Sequence, residues 1–247
     1  MTTPQDTIAL VTGANTGIGF HLARQLAQAG ARVLLGSRDP GRGSDAAEKL
    51  AAEGLQVEQL TIDITDDQSI AAAVRRVSQT HGRLDLLINN AAIAGDLQPA
   101  SAVSRESMLA TYDTNVAGVA AVTNGFLPLL RASSRARVLN VSSELGSTRL
   151  VNDPNWPLSG VAAAAAYQAS KSALDMLTVL YAKELAAENI AVVSVSPGYR
   201  ATGLSNGEPM EGAGDPAEGA AGIVGVALSG ELRTGLFFSD QGELVPW

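Results

Sequence analysis

The stretch IALVTGANTGIG, residues 8–19, decides how this 247-residue chain folds. A short apolar run with the character of a buried strand leads into Gly13, Gly17 and Gly19, and a helix-like stretch, 17–29, follows. Glycines at such a junction let the backbone turn sharply and bring amide N–H groups close to a pyrophosphate, whose charge also gains from the helix N-terminus. The spacing is Gly-x3-Gly-x-Gly. It is neither the Gly-x-Gly-x-x-Gly fingerprint nor a P-loop, because no Gly-Lys-Ser/Thr follows. Its position between a first strand and a first helix points to a dinucleotide rather than to a purely structural turn.

The rest of the chain repeats that alternation. Residues 8–12, 32–36, 55–61, 84–89, 137–142 and 190–196 read as strands, with 236–238 a weaker seventh. They are near-continuous apolar runs, the pattern of strands covered on both faces. Between them, 17–29, 43–53, 67–81, 104–130 and 167–188 are long enough for crossover helices. The expected fold class is α/β, a doubly wound parallel sheet (Rossmann fold), with residues 1–247 forming a single dinucleotide-binding domain. Two connections are long, 144–166 and 197–215, and both follow strand C-terminal ends, where ligands bind in open α/β sheets.

Composition narrows the function. With 46% hydrophobic and 17% charged residues and a mean hydropathy of +0.12, the chain is expected to bury a substantial core. A net charge of −8 and a pI near 4.8 argue against a nucleic-acid surface. There is no cysteine, and His21 and His81 lie far apart outside any metal-binding pattern, so no metal site is expected. The N-terminus lacks the basic and apolar regions of a signal peptide, and no run supplies the ~20 apolar residues of a membrane helix. A cytoplasmic protein with a small-molecule substrate and no membrane partner is the expectation.

The end of the second strand, VLLGSRDPGR, bears on which dinucleotide is bound. A carboxylate there would accept from the ribose 2′-OH of NAD, whereas arginine would pair with the 2′-phosphate of NADP. Arg38 and Arg42 both lie there, as does Asp39, 20 residues after Gly19. The strand is expected to end before Arg38, leaving Arg38 nearer the ribose and Asp39 pointing onward. NADP(H) is therefore expected in preference to NAD(H).

YQASK, residues 167–171, pairs one of four tyrosines with one of three lysines at a spacing that stacks them on one helix face. Carbonyl reduction by hydride needs a proton donor at the oxygen. Tyrosine serves once its pKa of ~10 falls toward neutrality, a shift of ~3 units worth ~4 kcal/mol, which a nearby ammonium can help supply in a dry site. Tyr181 lies ~21 Å further along the helix axis and cannot share that site. Tyr112 and Tyr199 lack a lysine at helical spacing, and His21 reads as a surface or packing residue. Near the end of the fifth strand, VLNVSS offers Ser142 and Ser143, of which one can face the site, because neighbours on a strand point to opposite sides.

Jointly these residues resemble the short-chain dehydrogenase/reductase family. The match runs through Thr12-Gly13-x3-Gly17-Ile18-Gly19, Asn89-Asn90-Ala91, Asn115, Ser143 with Tyr167-x3-Lys171, and Pro197-Gly198 with Thr202. The resemblance implies Tyr167 as general acid/base, Ser143 as donor to the substrate oxygen, Lys171 bonded to the nicotinamide ribose, and Asn115 holding a water on a proton path from Lys171. It also implies Asn15 and Thr16 near the phosphates, Asp63 and Ile64 at the adenine, Asn90, Ala91, Pro197 and Gly198 among the cofactor-binding residues, and Thr202 near the carboxamide. Asp63 is alternatively an acid at a helix N-terminus, and Asn115 alternatively bonds locally to backbone.

The chain departs from the family's pattern in two places. Ala92 stands where the family usually has glycine, and 24 residues separate Ser143 from Tyr167. The added segment resembles in length and position an insertion of monomeric carbonyl reductases, with Trp156, Pro157 and Leu158 placed to roof a pocket. It leaves monomer or homodimer undecided. Leu204, Met210 and Tyr199 fit a fairly hydrophobic, uncharged ketone or aldehyde, or the matching secondary alcohol. The rival reading, a non-catalytic NAD(P)-binding redox sensor, would not need Ser143, Tyr167 and Lys171 together.

Overall fold

The computed structural model describes residues 7–161, 164–201, 204, 212–230 and 233–247. Seven parallel strands form one sheet in the order β3-β2-β1-β4-β5-β6-β7: β1 Ile8–Val11, β2 Arg32–Ser37, β3 Val57–Thr61, β4 Leu86–Asn89, β5 Arg137–Val141, β6 Ala191–Val195 and β7 Phe237–Phe238. The helices are α1 Gly17–Gln28, α2 Pro40–Ala52, α3 Asp67–Thr80, α4 Arg105–Tyr112, α5 Val119–Arg131, α6 Thr148–Val151, α7 Ala165–Leu185 and α8 Pro216–Leu228. Strand order reverses where β1 lies beside β4, with Val11 paired to Ile88. In open α/β sheets ligands bind at such a point, outside the carboxyl ends of the strands.

The apolar runs are continuous because successive residues feed two different cores. Val11, Leu35, Ile88, Leu139 and Val193 pack under α1, α2 and α8. Their neighbours Leu10, Leu34, Leu87, Val138 and Val192 pack with α3, α5 and α7. Among the described residues no helix is long and apolar enough to cross a membrane.

Two elements differ from expectation. The helix expected over 104–130 is divided by a π-helical turn, Asp113–Gly118, between α4 and α5. Helix α8 lacked a sequence signal, because Gly219, Gly222 and Gly225 depress helix propensity. Close packing accounts for two of them: a Cβ on Gly222 would lie 2.0 Å from the Asp240 carbonyl oxygen, and one on Gly219 2.7 Å from that of Pro197, whereas one on the exposed Gly225 would meet nothing within 4 Å. Asp215 caps the helix and Pro216 opens it.

A polar ladder crosses the second core. Asn89 Nδ2 donates to Thr123 Oγ1 (3.1 Å) and to Asn140 Oδ1 (2.8 Å), Asn140 Nδ2 donates to Thr178 Oγ1 (2.8 Å), and Ser194 Oγ donates to the same Thr178 oxygen (2.9 Å). It ties β4, β5 and β6 to α5 and α7, the helix that carries Tyr167. Asn140→Ala removes a donor and an acceptor from this buried chain and is expected to cost about 1–3 kcal/mol of unfolding free energy. Urea denaturation checks this; an unchanged midpoint would show that the ladder adds nothing to stability.

Candidate active site

The glycine turn is built by close approach. Gly13 (φ +62°) and Gly17 (φ +57°) adopt left-handed backbone, and a Cβ on Gly13 would lie 2.9 Å from Ala91 Cα. A Cβ on Gly19 would lie 2.4 Å from the Gly13 carbonyl oxygen, so helix α1 starts hard against the turn. Thr12 Oγ1 accepts from the amides of Asn90 (3.0 Å) and Ala91 (3.1 Å), and Asn90 Nδ2 donates to the carbonyls of Thr12 (2.9 Å) and Gly13 (3.2 Å). The side chain of Asn90 is thus spent on shaping the turn. Helices α2, α3, α4 and α8 each begin on a side chain that caps them, Asp39, Asp66, Ser104 and Asp215. Helix α1 has no such cap, and its first turn carries no acid. Its first-turn amides are thus left without a side-chain cap, with Asn15, Thr16 and Ile18 in or beside that turn.

After the end of β2, the Asp39 carboxylate accepts from the Arg42 amide (2.9 Å) and caps α2, which begins at Pro40, where a loop was expected up to residue 43. Arg38 and Arg42 are exposed, and neither has a carboxylate within 4.0 Å among the described residues. Asp63 Oδ1 accepts from the Thr65 amide (3.0 Å) and hydroxyl (2.7 Å), which hold its carboxyl below the usual range, with a smaller contribution from Arg38. The cap of α3 is Asp66, so Asp63 is not the helix acid. Ile64 is buried beside Gly118 of the π-turn.

Helix α7 brings the remaining groups together. Lys171, 3% exposed, donates from Nζ to the Val141 carbonyl at 2.7 Å and lies 5.5 Å from the Tyr167 ring centroid. Ser143 is half-buried and hydrogen-bonds Tyr167; its hydroxyl also accepts from the Leu145 amide at 3.2 Å. Ser142 points the other way, buried at 1% exposure, which leaves Ser143 facing the phenol. Gly146 makes this approach possible, because a Cβ there would lie 2.8 Å from Lys171 Cβ and 2.9 Å from its carbonyl carbon.

Asn115 sits in the π-turn, fully buried. Its Oδ1 accepts from the Ile93 amide (2.9 Å), and its Nδ2 donates to the Ile93 carbonyl (2.9 Å) and to Ser170 Oγ (2.9 Å). Both amide hydrogens are committed to positioning the loop after β4 against α7, a long-range role rather than a local one. Tyr181 donates instead to Asn124 (2.8 Å), away from this site, and His21 packs edge-on against Phe20.

The electrostatics are those of a dry site. Burial pushes the Tyr167 phenol up to about 12, against the hydrogen bond with Ser143, and Asp175 adds to the rise. Burial also pushes Lys171 down to about 8, partly offset by the charge of Asp175, and Asp175 up to about 6, partly offset by the Ser142 and Ser194 hydroxyls and then by Lys171. Both latter shifts oppose folding at neutral pH. The Lys171 penalty is full below pH about 8 and disappears as pH rises to the ordinary 10.5; that of Asp175 is full above about 6 and disappears as pH falls to 3.8.

Beyond this cluster, Gly198 (φ +73°) packs on Asp240, and Pro197 accepts from Arg200 Nε at 2.9 Å. Arg200 also pairs with Glu218 and Asp240, tying the loop after β6 to that after β7. Sequence reasoning missed Arg200 and Asp240, since nothing local marks partners 40 residues apart. The segment 144–161 carries α6, and Ser147 Oγ donates to the Pro246 carbonyl at 2.6 Å. Trp156 and Leu158 are half-buried there, whereas Pro157 is exposed. Thr202 and Met210 lie outside the described residues; Tyr199 is exposed and Leu204 half-buried. A separate cavity of about 400 Å³ beneath α8, lined by Arg137, Leu139, Val193 and Phe238, shares no residue with the Tyr167 cluster.

Residues 7–211 match the family described as short chain dehydrogenase, and the chain belongs to that family. It is 38% identical over 245 residues to "Short-chain dehydrogenase anuI" of Penicillium roqueforti, covering 96% of both chains. It is 32% identical over 259 residues to "Short-chain dehydrogenase/reductase tropE" of Talaromyces stipitatus, covering 96% of this chain and 97% of that one. Among solved structures, an NADPH-bound carbonyl reductase from chicken fatty liver superposes with a TM-score of 0.86 at 28% identity, over 97% of this chain and 98% of the other. The Pseudomonas aeruginosa RhlG/NADP active-site complex gives 0.82 at 29% identity, over 96% of each.

Gly146→Ala is expected to cost about 1–3 kcal/mol by overpacking against the α7 backbone. Gly160→Ala, where a Cβ meets nothing within 4 Å, is the control. Chemical denaturation of both variants checks the contrast; equal midpoints would remove the tight contact between 144–147 and α7.

Proposed function

We propose that this short-chain dehydrogenase transfers a hydride between NADP(H) and a ketone or aldehyde, running reversibly on the corresponding secondary alcohol. The observation that carries the reading is the grouping of Ser143, Tyr167 and Lys171 at the same strand ends as an uncapped, acid-free helix N-terminus.

The residues present fit the dinucleotide. The glycine turn leaves a cradle that a Cβ at Gly13 or Gly19 would destroy, and the open amides of α1 suit a pyrophosphate. Gly13, Asn15, Thr16, Gly17, Ile18 and Gly19 would hold the phosphates. Arg38 and Arg42 would pair with the 2′-phosphate, a preference supported by the diversion of Asp39 into capping α2. Asp63 and Ile64 would flank the adenine; Asn90, Ala91, Pro197, Gly198 and Thr202 would line the nicotinamide end, and Tyr167 and Lys171 the ribose. NADPH and NADP complexes among the structural relatives support the same cofactor.

NADPH, when bound, supplies the hydride. Ser143 donates a hydrogen bond to the carbonyl oxygen as negative charge develops there. Tyr167 gives that oxygen its proton, a transfer that runs downhill because a phenol is a stronger acid than an aliphatic alcohol. Lys171 holds a positive charge beside the phenol and stabilises the phenolate left behind. Asn115 fixes the loop after β4 against Ser170, next to Lys171 in the chain. Trp156, Leu158, Tyr199 and Leu204 favour an apolar, uncharged substrate, a class that a panel of ketones, aldehydes, sugars and keto acids tests directly.

Tyr167→Phe is expected to lower kcat by about 10²–10⁴-fold while leaving NADPH affinity within about twofold. Lys171→Ala should damage both. Steady-state rates with fluorescence-measured NADPH binding check this, and wild-type activity in Tyr167→Phe would refute the acid role. Arg38→Ala is expected to reduce kcat/KM with NADPH by about 10–100-fold and to spare NADH. An equal loss with both cofactors would show that Arg38 does not read the 2′-phosphate.

A further inference from the structure

Asp175 is a buried charge that the reaction does not use. It is 5% exposed, and neither carboxylate oxygen has a hydrogen bond among the described residues. Two hydroxyls face it, Ser142 at the end of β5 and Ser194 of β6. Ser194 gives its proton to Thr178, and Ser142 Oγ is itself buried. Both hydroxyls favour the carboxylate, ahead of Lys171, but neither carries a charge to balance it. A buried ionised group is expensive unless an opposite charge lies near.

The opposite charge is Lys171. Residues 167, 171 and 175 fall at i, i+4 and i+8 on α7, one above another on a single face. Lys171 has a complementary deficit: its buried ammonium carries three donors, and its hydrogen bond goes to a neutral carbonyl, that of Val141. The two are not within ion-pair contact, so they act across the helix turn through a low-dielectric interior. The charged or titratable groups acting on Asp175 are Lys171 and, in turn, Tyr167, both on its own helix; β5 and β6 present hydroxyls only.

We propose that Asp175 is a positioning residue, a buried counter-charge that keeps Lys171 cationic behind Tyr167. Desolvation works to discharge Lys171, and Asp175 is the group that opposes it. Without the carboxylate, the ammonium would lose its proton at lower pH and the phenol would lose its neighbouring cation. The catalytic consequence rests on the proposed function; the ionic one does not.

The chain's three lysines make the test direct. In protein labelled with ¹³C at lysine Cε, Lys49 and Lys183 are exposed references and Lys171 is the perturbed signal. Asp175→Asn is expected to move the Lys171 titration midpoint to lower pH by about one unit or more, and Asp175→Glu to restore most of it. Wild-type protein needs no variant: its Lys171 signal should show a second inflection near pH 6, where Asp175 titrates. In carbonyl reduction, the basic limb of the pH–rate profile should move acidward in Asp175→Asn. A merely structural role would change the melting temperature and leave the midpoint in place. A moved midpoint supports the assignment even if no carbonyl is turned over. An unmoved midpoint in folded Asp175→Asn, or a wild-type signal lacking the inflection near 6, overturns it even in an active enzyme.

Discussion

The hydrogen bond from Lys171 Nζ to the Val141 carbonyl joins helix α7 to the carboxyl end of β5, and the geometry of the site follows from it. It places an ammonium in a dry interior, 5.5 Å from the Tyr167 ring centroid. It also brings α7 so close to the segment after Ser143 that residue 146 must be glycine. Ser143 then meets the phenol, while Ser142 is turned into the core. The polar ladder through Asn140, Thr178 and Ser194 holds the same helix a few turns further on, so its position is determined at several points along its length.

This arrangement is costly, and the costs lie where the chemistry is. Burying an ammonium and a carboxylate on one helix face lowers stability at neutral pH, as the opposite shifts of Lys171 and Asp175 record. What is gained is preorganisation: a cation already fixed beside a phenol needs no reorientation when charge develops. At the glycine turn, economy takes a different form. Helix α1 forgoes the side-chain cap that α2, α3, α4 and α8 possess, which leaves its amides for an anionic ligand.

Much of this was legible in the residues because it rests on periodicity and local spacing. Strands shared between two cores read as unbroken apolar runs, and the glycine turn and the Tyr167, Lys171 pair sit within single elements. The end of β2 before Arg38 was legible too, but Asp39 was expected to point into a loop and instead caps α2, which begins at Pro40 rather than at residue 43. Other features were hidden because they arise from contact at long range. Helix α8 looks like a loop until Gly219 and Gly222 are seen packed on the loops that hold Pro197 and Asp240. The π-turn that buries Asn115 has no compositional mark, and the Arg200 pair with Asp240 joins separate loops. Asp175 was not singled out in the sequence, since only its burial distinguishes it from a surface acid.

The most direct test is the ionisation of Tyr167 itself. With ¹³C at tyrosine Cζ, the chain's four tyrosines can be followed separately, and Tyr167→Phe assigns the signal of interest. In protein saturated with NADP⁺, Tyr167 should ionise well below its value in the free protein and below the other tyrosines, with Lys171→Ala abolishing the difference. A Tyr167 signal that titrates at the same high pH with and without cofactor and lysine would contradict the assignment of that phenol as the acid.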